Sequence, residues 1–112
     1  MSIDILKIPF QGEYIVQGDT IAKTLFTFTD EDIDLTTATI KMQIYNGNTR
    51  IIDVSNGSGI TVIDSENFEI DEVLENDLPV GKHLGDLEIT DEDGKRFTYF
   101  RVQYEVLKQY TV

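Results

Sequence analysis

The stretch Thr39-Ile-Lys-Met-Gln-Ile-Tyr45 alternates apolar and polar side chains without a break. A period of two puts Ile40, Met42 and Ile44 on one side of an extended backbone and Thr39, Lys41 and Gln43 on the other. Only a strand with one buried face satisfies that division. Similar segments read at about 5–10, 13–17, 22–29, 50–54, 60–63, 67–71, 83–90 and 96–107, separated by Gly, Asn and Asp clusters. No window holds a helical stripe longer than two turns. The best helical candidate is Asp71-Glu-Val-Leu-Glu-Asn-Asp-Leu78, with Asp71 able to cap, Leu74 and Leu78 four residues apart, and Pro79 and Gly81 to stop it. It predicts a crossover of one to two turns.

Register follows from asking which loop brings apolar residues opposite each other. A two-residue Asn46-Gly47 turn would set Ile40 against Asp53 and Ile44 against Thr49. A five-residue loop over 46–50 sets Ile44 against Ile52 and Met42 against Val54, and is expected instead. Further along, a three-residue loop Glu92-Asp93-Gly94 pairs Ile89 with Phe97 and Leu87 with Tyr99, with Gly94 in the left-handed conformation of a bulged turn. Apolar parity then changes to Phe100, Val102, Tyr104 and Val106, which predicts a bulge near 99–101. Many short strands with close turns and one small crossover predict an all-β sandwich of about seven strands, ahead of a barrel with a ligand cavity. At 112 residues, with no linker or repeat, residues 1–112 are expected to form a single domain.

Composition narrows function. Twenty-one acids against nine Lys and Arg give a net charge of −12, and such a surface repels phosphate backbones and anionic membranes. The expected partners therefore exclude nucleic acid and membrane. There is no cysteine, so thiol catalysis, disulfides and thiolate metal sites are excluded. The N-terminus MSIDILKIPF lacks the pattern of a signal peptide, and no stretch approaches the ~20 apolar residues that span a bilayer.

The stretch Asp30-Glu-Asp-Ile-Asp-Leu35 concentrates carboxylates. Asp30, Asp32 and Asp34 have the alternate spacing that opens a calcium loop, but Leu35 stands where the turn glycine belongs and Lys41 where the bidentate Glu belongs. A different calcium site could draw on Asp64, Asp91 and Asp93. The expectation is a solvated loop with no metal and no cofactor, the calcium candidates being Asp30, Asp32, Asp34, Asp91 and Asp93. No catalytic residue is assigned, because acids in wet turns lack the dry pocket that separates an acid from a base. His83, the sole histidine, is expected to pack or hydrogen-bond, and Gly18-Asp19-Thr20 to turn a corner between strands. Phe26, Phe28, Phe68, Phe97, Phe100 and Tyr104 are expected as core or cross-strand pairs.

The order of short motifs carries a resemblance. Gln17-Gly-Asp-Thr20, Asp34-Leu-Thr36, Gly59-Ile60 and Leu78-Pro-Val-Gly81 come first, then Asp86-Leu-Glu-Ile-Thr90, Asp93-Gly94 and Phe97-Thr-Tyr-Phe-Arg-Val102. From about residue 13 this resembles the Ig-like β-sandwich domains of tailed bacteriophages, especially the N-terminal domain of baseplate upper proteins. Thr37 stands where the family usually has glycine. His83 stands where it has a tyrosine whose hydroxyl could tie a corner together. The resemblance implies an Ig-like antiparallel β-sandwich of about seven strands with one short crossover helical turn. It implies a non-enzymatic virion structural protein of the tail, baseplate or fibre. Such a protein is made in the host cytoplasm without a signal peptide and assembles with other virion proteins or with itself as a homo-oligomer. The alternative is a carbohydrate- or calcium-binding adhesion module. A small acid-catalysed hydrolase ranks behind both.

Overall fold

The computed structural model describes residues 4–7, 14–28 and 33–110. Its strands are β1 (Asp4–Lys7), β2 (Ile15–Val16), β3 (Thr24–Thr27), β4 (Thr39–Asn46), β5 (Thr49–Asn56), β6 (Gly59–Val62), β7 (Asn67–Ile70), β8 (Gly81–Thr90) and β9 (Arg96–Leu107). Each overlaps one of the segments that the alternating pattern marks, β1 and β6 being offset by a residue or more. The protein is all-β, with no helix among the described residues. The strands join in one curled sheet of order β1-β9-β8-β4-β5-β6-β7-β3, and β2 also pairs with β9.

Two parts of the expected architecture are corrected. Among the described residues the sheet has nine strands rather than about seven, and it is mixed rather than antiparallel, because β1 and β2 run parallel to β9 and β5 runs parallel to β6. The crossover helix is also absent. Residues 71–78 are irregular, with a bend at Leu74 and Glu75: Val73 bridges Ile21, Leu74 is 71 % exposed, and only Asn76 and Leu78 turn inward. Asp71 accepts a hydrogen bond from the Thr61 hydroxyl instead of capping a helix. Backbone bonds join Val73 to Ile21 and Asn76 to Gly18 and Asp19, so pairing here runs across to the 18–21 corner rather than within a helical turn.

The register of the first hairpin keeps the expected apolar pairs, Met42 with Val54 and Ile44 with Ile52. The expected five-residue loop is wrong, however. Pairing continues through Tyr45–Arg50 to Asn46–Thr49 around a tight turn, with Gly47 at φ 60°, and a register shift after Ile44 leaves Ile51 unpaired. The extra residue reconciles a two-residue turn with an apolar face that it would otherwise invert. In the second hairpin Ile89 pairs with Phe97, and Gly94 takes φ 86°. Leu87 pairs with Phe100 rather than Tyr99, because the bulge expected near 99–101 lies between these two pairings.

The core gathers the inward faces: Ile40, Met42, Ile44, Leu87, Ile89, Val102, Tyr104 and Val106 from β4, β8 and β9, with Phe26, Ile60, Phe68 and Ile70 from β3, β6 and β7. Phe26 and Phe68 are cross-strand partners whose rings stack at 4.9 Å, a contact worth about 0.5–1.5 kcal/mol beyond buried area. The chain passes from β5 to β6 through the glycine-rich corner Asn56-Gly-Ser-Gly59. There Ser55 and Ser58 exchange backbone hydrogen bonds and the Asn56 side chain ties down Ala38 and Ile40 of the neighbouring β4 entry.

Candidate functional site

The acids singled out by the sequence go into turns. Asp30 and Asp32 lie outside the described residues. Asp34 is exposed, and its Oδ1 accepts from the Thr36 amide (2.9 Å) and hydroxyl (2.6 Å), which hold its carboxyl below the usual aspartate value. On either side of it, Ile33 and Leu35 enter the core, so the stretch is anchored by its apolar members. Asp64 accepts from the amides of Glu66 and Asn67 and from the Asn67 side chain, with the same lowering effect. Asp91 accepts from the amides of Asp93 and Lys95, while Asp93 remains exposed. Each described acceptor closes its own loop. Among the described residues no group of three or more His, Asp or Glu converges as a metal site would require.

His83 is 2 % exposed and faces the core from β8. Its Nε2 lies 2.6 Å from the Pro79 carbonyl oxygen, which can only accept, so the ring proton sits on Nε2 and Nδ1 is left as a buried acceptor without a partner among the described residues. The histidine thus fastens the start of β8 to the turn four residues before it.

A second buried polar group was invisible in the sequence. Asn76, 4 % exposed, donates through Nδ2 to the carbonyls of Val16 (2.9 Å) and Asp19 (2.8 Å), and its backbone carbonyl accepts from the Gly18 amide. Gln17 reaches Leu78 O at 3.1 Å and Thr20 reaches Leu74 O at 2.6 Å. The Gly18-Asp19-Thr20 stretch is therefore the strand corner expected, with Gly18 at φ 92°. Asparagine here contacts residues some sixty positions away, and no local pattern signals that.

Next to this corner a cleft of about 280 Å³ opens between β5 and residues 70–78. Met42, Ile52, Val54, Ile70 and Leu78 give it apolar walls, and Asp53, Asp71, Glu72 and Asp77 stand at its rim. Tyr104, 3 % exposed, also lines it. Burial pushes this phenol up to about 12, and its hydroxyl has no hydrogen-bond partner among the described residues. On the opposite, outward face of the sheet, Tyr45 and Leu84 pair across β4 and β8 and stay exposed, beside the ion pairs Asp86–Arg101 and Glu88–Arg96.

Neither protein-family models, nor curated proteins, nor solved structures give a match to this chain.

Proposed function

We propose that this chain is a non-enzymatic Ig-like β-sandwich module of a tailed-bacteriophage virion, joining tail, baseplate or fibre components through its surface and sheet edges. The observation that carries the reading is where the resembling motifs fall. Gln17-Gly-Asp-Thr20 and Leu78-Pro-Val-Gly81 meet through the Gln17–Leu78 hydrogen bond, Asp34-Leu-Thr36 closes its own turn, and Asp93-Gly94 forms the β8–β9 hairpin. Residues that recur at corners for backbone reasons are what a shared fold would keep.

Strand order supports the same reading. The β5–β6 join rests on two residue pairs only, and dividing the path there leaves β9-β8-β4-β5 on one side and β3-β7-β6 on the other. Those are the neighbours of an Ig-like sandwich, G-F-C-C′ and B-E-D, and the His83–Pro79 bond stands where such folds tie their corner with a tyrosine. The site reading is negative in kind: the described candidate acids Asp34, Asp64 and Asp91 serve turns, and what remains exposed is a sheet face and an open edge, surfaces suited to protein contact. The test is mass spectrometry and antibody labelling of purified phage particles from the genome that encodes the chain. Stoichiometric presence in tail or baseplate is expected. Expression without incorporation overturns the proposal, as would flanking genes with no tail or baseplate component among them.

A further inference from the structure

The cleft beside β5 has features that a closed core does not. Over Thr49–Val54, β5 pairs with β4 on one edge, while β6 reaches only Ser55 and Asn56 on the other. No backbone hydrogen bond among the described residues covers that second edge. An open edge is a template for another strand. The cleft runs along this edge, and its ~280 Å³ falls just below the roughly 300–1,000 Å³ of sites that enclose a whole small molecule. It is the right scale for side chains.

The chemistry of the occupant follows from the lining. Ile52, Val54, Met42 and Leu78 favour an aliphatic stem, and the Tyr104 hydroxyl offers one buried polar contact. None of the lining residues is basic, and four carboxylates stand at the rim. Arg50 pairs with Asp53 at 3.5 Å, and Asp71 is engaged by Thr61, but Glu72 and Asp77 have no ion pair among the described residues. A second copy of this chain would bring the same acidic rim and a net charge of −12 with it, so like charges oppose that occupant.

We propose that the cleft is a docking site for an extended segment of a different protein. The segment adds as a strand to the free edge of β5 and inserts a Lys or Arg whose stem packs against Ile52, Val54 and Leu78 and whose cation meets Glu72 and Asp77. This deepens the reading of the chain as an assembly module and depends on it only for the partner's source. Long basic side chains bury their stems and keep their charge wet, which is the division this site offers.

The test uses the whole protein and a blocked octapeptide of alternating valine and lysine, followed by amide NMR. Saturable shifts are expected at Thr49–Val54, Glu72 and Val73, weakening steeply with salt. A valine/glutamate octapeptide should not bind. Glu72→Lys with Asp77→Lys, both exposed and checked for an unchanged melting temperature, should weaken the valine/lysine peptide at least tenfold. Absence of saturation at millimolar peptide, equal binding of the glutamate peptide, or shifts confined to other strands each overturns the proposal. So does a dimer in sedimentation that the peptide dissociates, since the occupant would then be a second copy. Particle incorporation is scored separately, so failure of either idea is distinguishable from failure of the other.

Discussion

Gly85 is the residue at which a single methyl group should do most damage. It sits within β8, opposite Ile44 on one side and Val102 on the other. A Cβ built there would overlap the Gln43 carbonyl oxygen and come within 2.7 Å of both the Gln43 carbonyl carbon and the Ile44 Cα. These are backbone atoms of β4, a strand held in register by β5 as well as β8, and Ile44 is fully buried. β4 cannot retreat without breaking pairs on its far side. Overpacking of this kind costs about 1–3 kcal/mol, occasionally more. Restricting the unfolded chain offsets some ~0.4–1 kcal/mol where the native site accepts the methyl, which this one does not do freely. The expected net loss for Gly85→Ala is ~2–3 kcal/mol, a large part of the ~6–17 kcal/mol that a domain of this size possesses. In urea unfolding, with a slope of about 1–3 kcal/mol per M, the midpoint should fall by roughly 1–2 M. The melting temperature should drop by about 10 °C. Gly94→Ala is the control: φ is 86°, but nothing lies within 4 Å of the added carbon, so its cost is the left-handed backbone alone, about 1 kcal/mol. A Gly85→Ala midpoint within ~0.5 kcal/mol of the parent, or a smaller loss than Gly94→Ala, would refute the close-approach argument.

Four further outcomes are expected. His83→Ala removes a buried ring and leaves the Pro79 carbonyl without its donor, so denaturant titration should show a loss of about 2–4 kcal/mol. Tyr104 keeps its proton to about pH 12 when folded, whereas unfolded tyrosine releases it near pH 10; stability present below pH 10 should decline as pH rises through 12, and Tyr104→Phe should flatten that decline in alkaline melts. Moderate salt should raise the melting temperature by screening the net charge of −12. Asp30→Asn, Asp32→Asn and Asp34→Asn together should leave the fold intact and no calcium-dependent melting shift to lose; a triple variant that unfolds or forfeits such a shift would establish a metal site there.

The parity of apolar residues made the strands legible, since inward Ile, Leu, Val and Phe at alternate positions state which face is buried. It also located the bulge after Phe97-Thr98, where parity itself breaks. Parity is silent on partners. That β1 and β2 run alongside β9, or that β5 hands over to β6 at a glycine corner, depends on contacts between segments that carry the same local pattern. Residues 71–78 misled for a related reason: Leu74 and Leu78 have helical spacing, but folding exposes Leu74 and buries Asn76 with Leu78, and the partners of Asn76 lie at 16–19. The turn acids were readable because Asp34, Asp64 and Asp91 each bond within four residues. The cleft was not, because Ile52, Leu78 and Tyr104 meet only once the sheet has curled.

The parallel pairing of β1 and β2 with β9 fixes how the molecule carries mechanical load. β1 matches Asp4–Lys7 to Phe100–Gln103, and β2 matches Ile15–Val16 to Val106–Leu107. Tension entering ahead of β1 and leaving beyond β9 pulls two parallel strands lengthwise past each other. Their hydrogen bonds then share the force in shear instead of opening one at a time. Forced unfolding is governed by the rate of crossing its barrier rather than by equilibrium stability, so a chain held across β1 and β9 would resist extension more than its thermal midpoint indicates. Pulling across the β8–β9 hairpin, where strands part from one end, should unzip the same protein at lower force.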